Sequence, residues 1–123
     1  MAAAQPPAPL DISKPARVVA LQTKTDHVQG IDTDGTHLWV TSVDRASRKG
    51  KLQEFAVADG RLERTIEIQD GDRYHPGGMA ADATSLWIPI AEYKPNSTAI
   101  IQRRSKRTLE LEFSSPCPTI SAA

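Results

Sequence analysis

One stretch of this chain occurs twice without a gap, 48 residues apart. His27-Val-Gln-Gly30-Ile-Asp-Thr-Asp34-Gly-Thr-His-Leu38-Trp39-Val40 returns as His75-Pro-Gly-Gly78-Met-Ala-Ala-Asp82-Ala-Thr-Ser-Leu86-Trp87-Ile88. The pairs His27/His75, Gly30/Gly78, Asp34/Asp82, Leu38/Leu86 and Trp39/Trp87 are identical, and the last uses both tryptophans of the protein. Self-similarity at a fixed period marks a repeat architecture, in which one supersecondary unit cannot bury its faces alone and stacks on the next.

Each unit reads as four strands. In the first, strand A covers 28–33 and the Asp34-Gly35 pair turns the chain into strand B, 37–43. Strand B is apolar on both faces, Leu38 and Val40 on one and Trp39 and Val43 on the other, as suits a sheet packed between two others. Strand C, 51–57, and strand D, 61–68, alternate apolar and polar residues around a second turn at Asp59-Gly60. The second unit gives strands at 76–81, 85–91, 98–103 and 108–113. No segment keeps helical periodicity over three turns, so the fold class is all-β. A period of about 40–50 residues with four strands is that of a propeller blade.

The reading is therefore an incomplete propeller of two four-stranded antiparallel blades, 27–68 and 75–113, within a fragment spanning 16–113. Closure takes about 4–8 blades, so self-association through the unpaired blades is expected. Residues 1–15, rich in Pro and Ala, are expected to be a disordered leader, and 16–22 an extra outer strand. The tail 114–123 is expected to be irregular: a third repeat would open with His at position 123, where Ala123 stands, which suggests a premature end or a shifted reading frame, with a natural capping tail as the alternative.

Fifteen basic and fifteen acidic side chains cancel, which argues against a nucleic-acid partner driven by bulk charge. No apolar run is long enough to span a membrane. The N-terminus lacks the basic and apolar regions of a signal peptide, so the chain as written is expected in the cytoplasm, whereas full-length relatives could be exported. The single Cys117 has no internal partner for a disulfide.

With these residues in view, the chain resembles β-propellers of the NHL, YncE-like and gluconolactonase/regucalcin-like kind, which share the Gly-hydrophobic step, the Asp turn and the Leu-Trp-Val strand. The strings Tyr74-His-Pro-Gly-Gly78 and Leu86-Trp-Ile-Pro-Ile-Ala-Glu-Tyr-Lys-Pro-Asn-Ser97 look like those of an uncharacterised bacterial propeller family. The resemblance implies the fold. It implies no single activity, because propellers host enzymes and binding platforms alike.

Blade geometry places His27 and His75, at the start of strand A, at the same end as Asp44 and Glu92, which follow strand B and are also 48 residues apart. These four, with Tyr93 and Asn96 in the loop Glu92-Tyr-Lys-Pro-Asn96, form a candidate ligand-binding mouth for a small molecule or protein ligand. Imidazoles with carboxylates are also what a divalent metal recruits, so His27 and His75 are candidate metal ligands, and equally they suit hydrogen bonds that fix the turn into strand A. Two histidines do not complete a metal site, and no catalytic residue is assigned. The main expectation is a ligand- or protein-binding scaffold. The alternative is a truncated, metal-dependent enzyme of the lactonase-like or lyase-like sort. Arg103-Arg-Ser-Lys-Arg107 falls at the opposite end, as a solvated hairpin that protects a sheet edge, and no interleaved aromatics mark it for nucleic acid.

Overall fold

The computed structural model describes residues 5–9 and 11–118. All nine elements among them are strands, arranged as two antiparallel sheets. Sheet one is a meander of β1 (His27–Thr33), β2 (His37–Asp44), β3 (Lys49–Ala56) and β4 (Leu62–Glu67). Sheet two contains β5 (Arg73–Pro76), β7 (Ser85–Glu92), β8 (Ala99–Ser105) and β9 (Leu111–Pro116) in that order, with β6 (Ala80–Ala81) also paired to β7.

The repeated Asp residues make the same turn twice. Asp34 Oδ1 accepts from the amides of Thr36 and His37, and Asp82 Oδ1 accepts from those of Thr84 and Ser85. Hydrogen bonds, from the His37 amide above all for Asp34 and from the Trp87 indole for Asp82, hold both carboxyls down at about 2. A carboxylate that accepts two backbone donors closes a turn the backbone alone would leave open.

The second strand A departs from the expected 76–81. It is split into β5 and β6 around Gly77, Gly78 and Met79. Pro76 has no amide to give the ladder, and the Gly77 amide turns to the Pro89 carbonyl at 2.8 Å. The last strand also lies three residues beyond the expected 108–113, at Leu111–Pro116, so residues 114–116 are strand rather than irregular tail. Residues 119–123 lie outside the described ones.

Segment 16–22 forms no strand. It is fastened to the β3–β4 turn instead: the Gln22 amide donates to the Gly60 carbonyl, and the Arg17 guanidinium donates to the carbonyls of Val57 and Ala58. The same device recurs between the sheets, where Arg64 of β4 donates to the carbonyls of Lys106 and Arg107 in the β8–β9 turn.

The core lies between the sheets. Trp39, Leu52 and Ile68 of the first repeat pack with Leu86, Ile88, Ile90, Ile100 and Leu109 of the second. Alternation along β7 sends Trp87 to the other face of sheet two. Trp39 is 1% exposed, whereas its repeat partner Trp87 is only half-buried. On that outer face the Arg103 guanidinium sits 5.5 Å from the Trp87 ring and 5.6 Å from Phe113, and Leu111 and Phe113 are exposed. The tryptophans therefore do not share one packing role, because only the first has a sheet above it.

At the closest approach of the two first strands, a Cβ on Gly30 would lie 2.7 Å from Gly78 Cα and 2.9 Å from the Gly77 carbonyl oxygen. Nearby, Thr41 Oγ1 donates to the Gly77 carbonyl at 3.0 Å and the Ala81 amide to Asp32 at 2.8 Å. These bonds tie the sheets together and β5 lies against β2 and β3, from where His75 reaches Gln29 of β1.

Candidate functional site

The pairing of β1 with β2 and of β5 with β7 sets the site. His27 lies opposite Val43, and His75 opposite Ala91, so both imidazoles stand at the end where β2 and β7 run out into loops. His75 Nε2 is 3.0 Å from Gln29 Oε1. The amide oxygen can only accept, so this contact suits the tautomer with its proton on Nε2. Burial, and after it the nearby His27, push the His75 pKa below the ordinary imidazole value, which favours the neutral ring.

Tyr93 is the centre of the arrangement. Its ring packs 4.5 Å from His75 and stacks on buried Tyr74 at 6.0 Å with an interplanar angle of 7°. The Arg45 guanidinium lies 4.9 Å from the Tyr93 centroid, and that of Arg48 lies 6.0 Å from Tyr74. A groove of about 560 Å³ beside this cluster is lined by Arg45, His75, Glu92, Tyr93, Lys94 and Ser97, among others. Both repeats contribute to it, Arg45 from the first and His75 and Tyr93 from the second, while Gln29 lines a smaller hollow on which His75 also opens.

The two acids at this end are engaged by their own loops. Asp44 accepts from the Ser47 hydroxyl and from the amides of Ala46 and Ser47, and the Ser47 hydroxyl chiefly holds its carboxyl below the usual range. Glu92 Oε2 accepts from the amide and hydroxyl of Thr98 while Oε1 faces Lys94, and the Thr98 amide leads in lowering its pKa. Both are turn-closing carboxylates in this geometry, much as Asp34 and Asp82 are. Asn96 is exposed and takes a left-handed backbone at φ 55°, in the same loop position as Arg48 at φ 58°. Of the six residues named from the sequence, His75 and Tyr93 are in direct contact and Glu92 lines their groove. His27 stands nearby and exposed, while Asp44 and Asn96 serve their turns. Sequence reasoning passed over Gln29, Arg45, Arg48 and Tyr74. Arg45 and Arg48 stand in the loop that replaces the second repeat's Tyr-Lys-Pro-Asn, a difference between otherwise equivalent repeats that could have drawn attention to them.

A second cluster lies at the opposite end. His37, Glu54 and Glu63 bring potential metal-ligating atoms within 4.8 Å of one another. Glu54, however, is 2% exposed and already accepts from Arg64 Nε and Nη2 at 2.7 Å each and from Trp39 Nε1 at 3.0 Å. A guanidinium already occupies the place beside that carboxylate. The adjacent run from Arg103 to Arg107 is not a freely solvated hairpin. Arg104 donates to Gln102 Oε1 and to the Leu109 carbonyl, burial lowers its pKa, and Lys106 Nζ lies 5.1 Å from the Trp39 ring. Arg104 and Lys106 thus lie against the protein, in the turn whose carbonyls Arg64 grips, while Arg107 is exposed.

No helix among the described residues is long and apolar enough to cross a membrane, which says nothing of spanning by strands. No curated protein and no solved structure matches the chain. One family profile does match, that of a family of unknown function, DUF6454, over residues 18–113. That span takes in every strand up to the start of β9, both copies of the repeat and all the residues of the mouth, and the chain belongs to the DUF6454 family.

Proposed function

We propose that the chain is a propeller-type scaffold that binds a small ligand at the end where His75 and Tyr93 meet. The observation that carries this reading is convergence: Arg45 from the first repeat and His75 and Tyr93 from the second line one groove, and Gln29 holds His75 from the small hollow that His75 also lines. Concave sites with a few polar groups around an aromatic surface are the usual places for small ligands. Serial stacking supports the propeller part. Sheet one meets sheet two through a guanidinium on turn carbonyls, and segment 16–22 meets sheet one in the same way. Further sheets, or other copies of the chain, would then cover the outer Trp87 face.

A screen of small polar aromatic fragments against the ¹⁵N-labelled chain tests the ligand site. Shifts are expected to cluster at Gln29, His75 and Tyr93 and to vanish in Tyr93→Ala. Hits that cluster around Lys106, or persist in Tyr93→Ala, refute the assignment. A second reading, metal-dependent hydrolysis or elimination, draws on His27 and His75 both standing at the end where β2 and β7 run out into loops. It requires the imidazole resonances of both residues to move together on titration with Zn²⁺ or Mn²⁺, and their failure to do so removes it.

A further inference from the structure

Charges at the mouth are unevenly partnered. Lys49 pairs with Glu67, Lys51 with Asp26, Arg73 with Asp70 and Lys94 with Glu92. Among the described residues, neither Arg45 nor Arg48 has a carboxylate within ion-pair distance, and neither guanidinium has a hydrogen-bond acceptor. Each lies against a tyrosine ring instead, and the two acids at this end, Asp44 and Glu92, are held by their own loops. Asp72 lines the small hollow next to Arg48 without forming an ion pair there, so Arg45, on the larger groove, is the less compensated cation.

Arg48 adds a second observation. It holds a left-handed backbone at φ 58°, which costs any residue with a Cβ, and the equivalent position 48 residues later is filled by Asn96 at φ 55°. Asparagine tolerates that conformation better than arginine does. The turn therefore has no need of arginine at this position, and the Arg48 side chain adds a charge that the backbone geometry does not require.

We propose that the groove selects a small organic anion, a carboxylate or a phosphate monoester, with Arg45, held over the Tyr93 ring, as its main anchor and Arg48, on the adjoining hollow, as a second cation. This rests on the mouth being the ligand site. A guanidinium presents a planar fork of donors that matches a carboxylate or phosphate with two parallel hydrogen bonds. Its contact with the Tyr93 ring, 4.9 Å from the centroid, restrains the side chain beside the groove before the ligand arrives.

The probes are benzoate, phenyl phosphate and neutral benzamide, titrated into the full chain at constant ionic strength and followed by ¹H–¹⁵N spectra. At least one of the two anions is expected to bind at Arg45, His75 and Tyr93, with benzamide much weaker, and the stronger anion identifies which source of charge the groove prefers. Arg45→Gln is expected to weaken the anion by about tenfold to a hundredfold. Arg45→Lys should restore part of that, Arg48→Gln should cost less, and Arg107→Gln at the far end should change nothing. Dispersed spectra of each variant establish that it folds. Benzamide binding as tightly as benzoate, with loss in Tyr93→Ala, overturns anion selection and leaves the ligand site standing. No response to either anion overturns the anion proposal, while the fragment screen decides the site itself.

Discussion

Removing the Arg64 guanidinium should separate the two sheets energetically. In the native protein Arg64 donates twice to Glu54 and once each to the Lys106 and Arg107 carbonyls, the latter at 2.7 and 2.6 Å across the sheet interface. Arg64→Ala leaves Glu54, 2% exposed, as a buried carboxylate whose remaining donor is the Trp39 indole. Breaking one side of a buried ion pair costs about 3–5 kcal/mol. The Arg64 side chain is 32% exposed, so water can enter the vacated space, and the low end, about 3 kcal/mol, is expected. For a chain of this size that is a fall in Tm of about 10 °C. Urea unfolding followed by tryptophan fluorescence measures it. In the double variant Arg64→Ala with Glu54→Gln, the amide oxygen still accepts from Trp39 but no charge is buried, so part of the loss should return.

The pH dependence gives an internal check. Burial drives the Glu54 carboxyl upward, but the hydrogen bonds from Arg64 and Trp39 outweigh it and hold the pKa below its ordinary value. A depressed carboxylate contributes stability above its unfolded pKa and loses it as the pH falls through the folded value. Without Arg64 burial prevails, the pKa rises, and the defect should be largest at neutral pH and shrink in acid as Glu54 takes up a proton. A cost below about 1 kcal/mol, no rescue by Glu54→Gln, or a defect that grows in acid refutes the account of this interface.

Two further contrasts use the repeat as its own control. Gly30→Ala should destabilise by about 1–3 kcal/mol, because its Cβ meets backbone atoms of Gly77 and Gly78, whereas Gly78→Ala opens onto free space and should cost less than about 0.5 kcal/mol by the same urea assay. Trp39→Ala should cost about 3–5 kcal/mol and Trp87→Ala less than half of that. The exposed Trp87 face should instead govern self-association: light scattering over a dilution series should show concentration-dependent mass, reduced by Phe113→Ser, and a strictly monomeric parent counts against that surface.

Much of the fold could be read from the residues. The repeat marks Asp34 and Asp82 as one turn used twice, and alternation in β2, β3 and β4 places those strands within a residue or two of where they lie. It fails where backbone chemistry overrides pattern. Pro76 and Gly77 break the second strand A, and segment 16–22 has a strand's composition but is held by the Arg17 side chain and the Gln22 amide rather than by a ladder. The candidate site was legible in part. The period brings His27 and His75 to one end, but it cannot tell that Asp44 and Glu92 will turn back on their own loops, because a carboxylate's choice between a nearby amide and a ligand depends on how the loop closes.

Periodicity by itself determined that the chain is all-β, that it is built of two like units, and that their equivalent ends share residues of equivalent kind. Those are local and translational properties, carried by spacing along the chain. Only the tertiary structure decided how like residues part company. Trp39 is sealed by the second sheet while Trp87 faces outward, and Glu54 opposite Trp39 is answered by Arg64, whereas the residue opposite Trp87 is Arg103, held between two aromatic rings. The grouping of Arg45, Arg48, Tyr74, His75 and Tyr93 is of the same kind. A repeat fixes what each unit offers, but the environment of a side chain is set by whichever unit stands beside it, and each of the two units has a different neighbour.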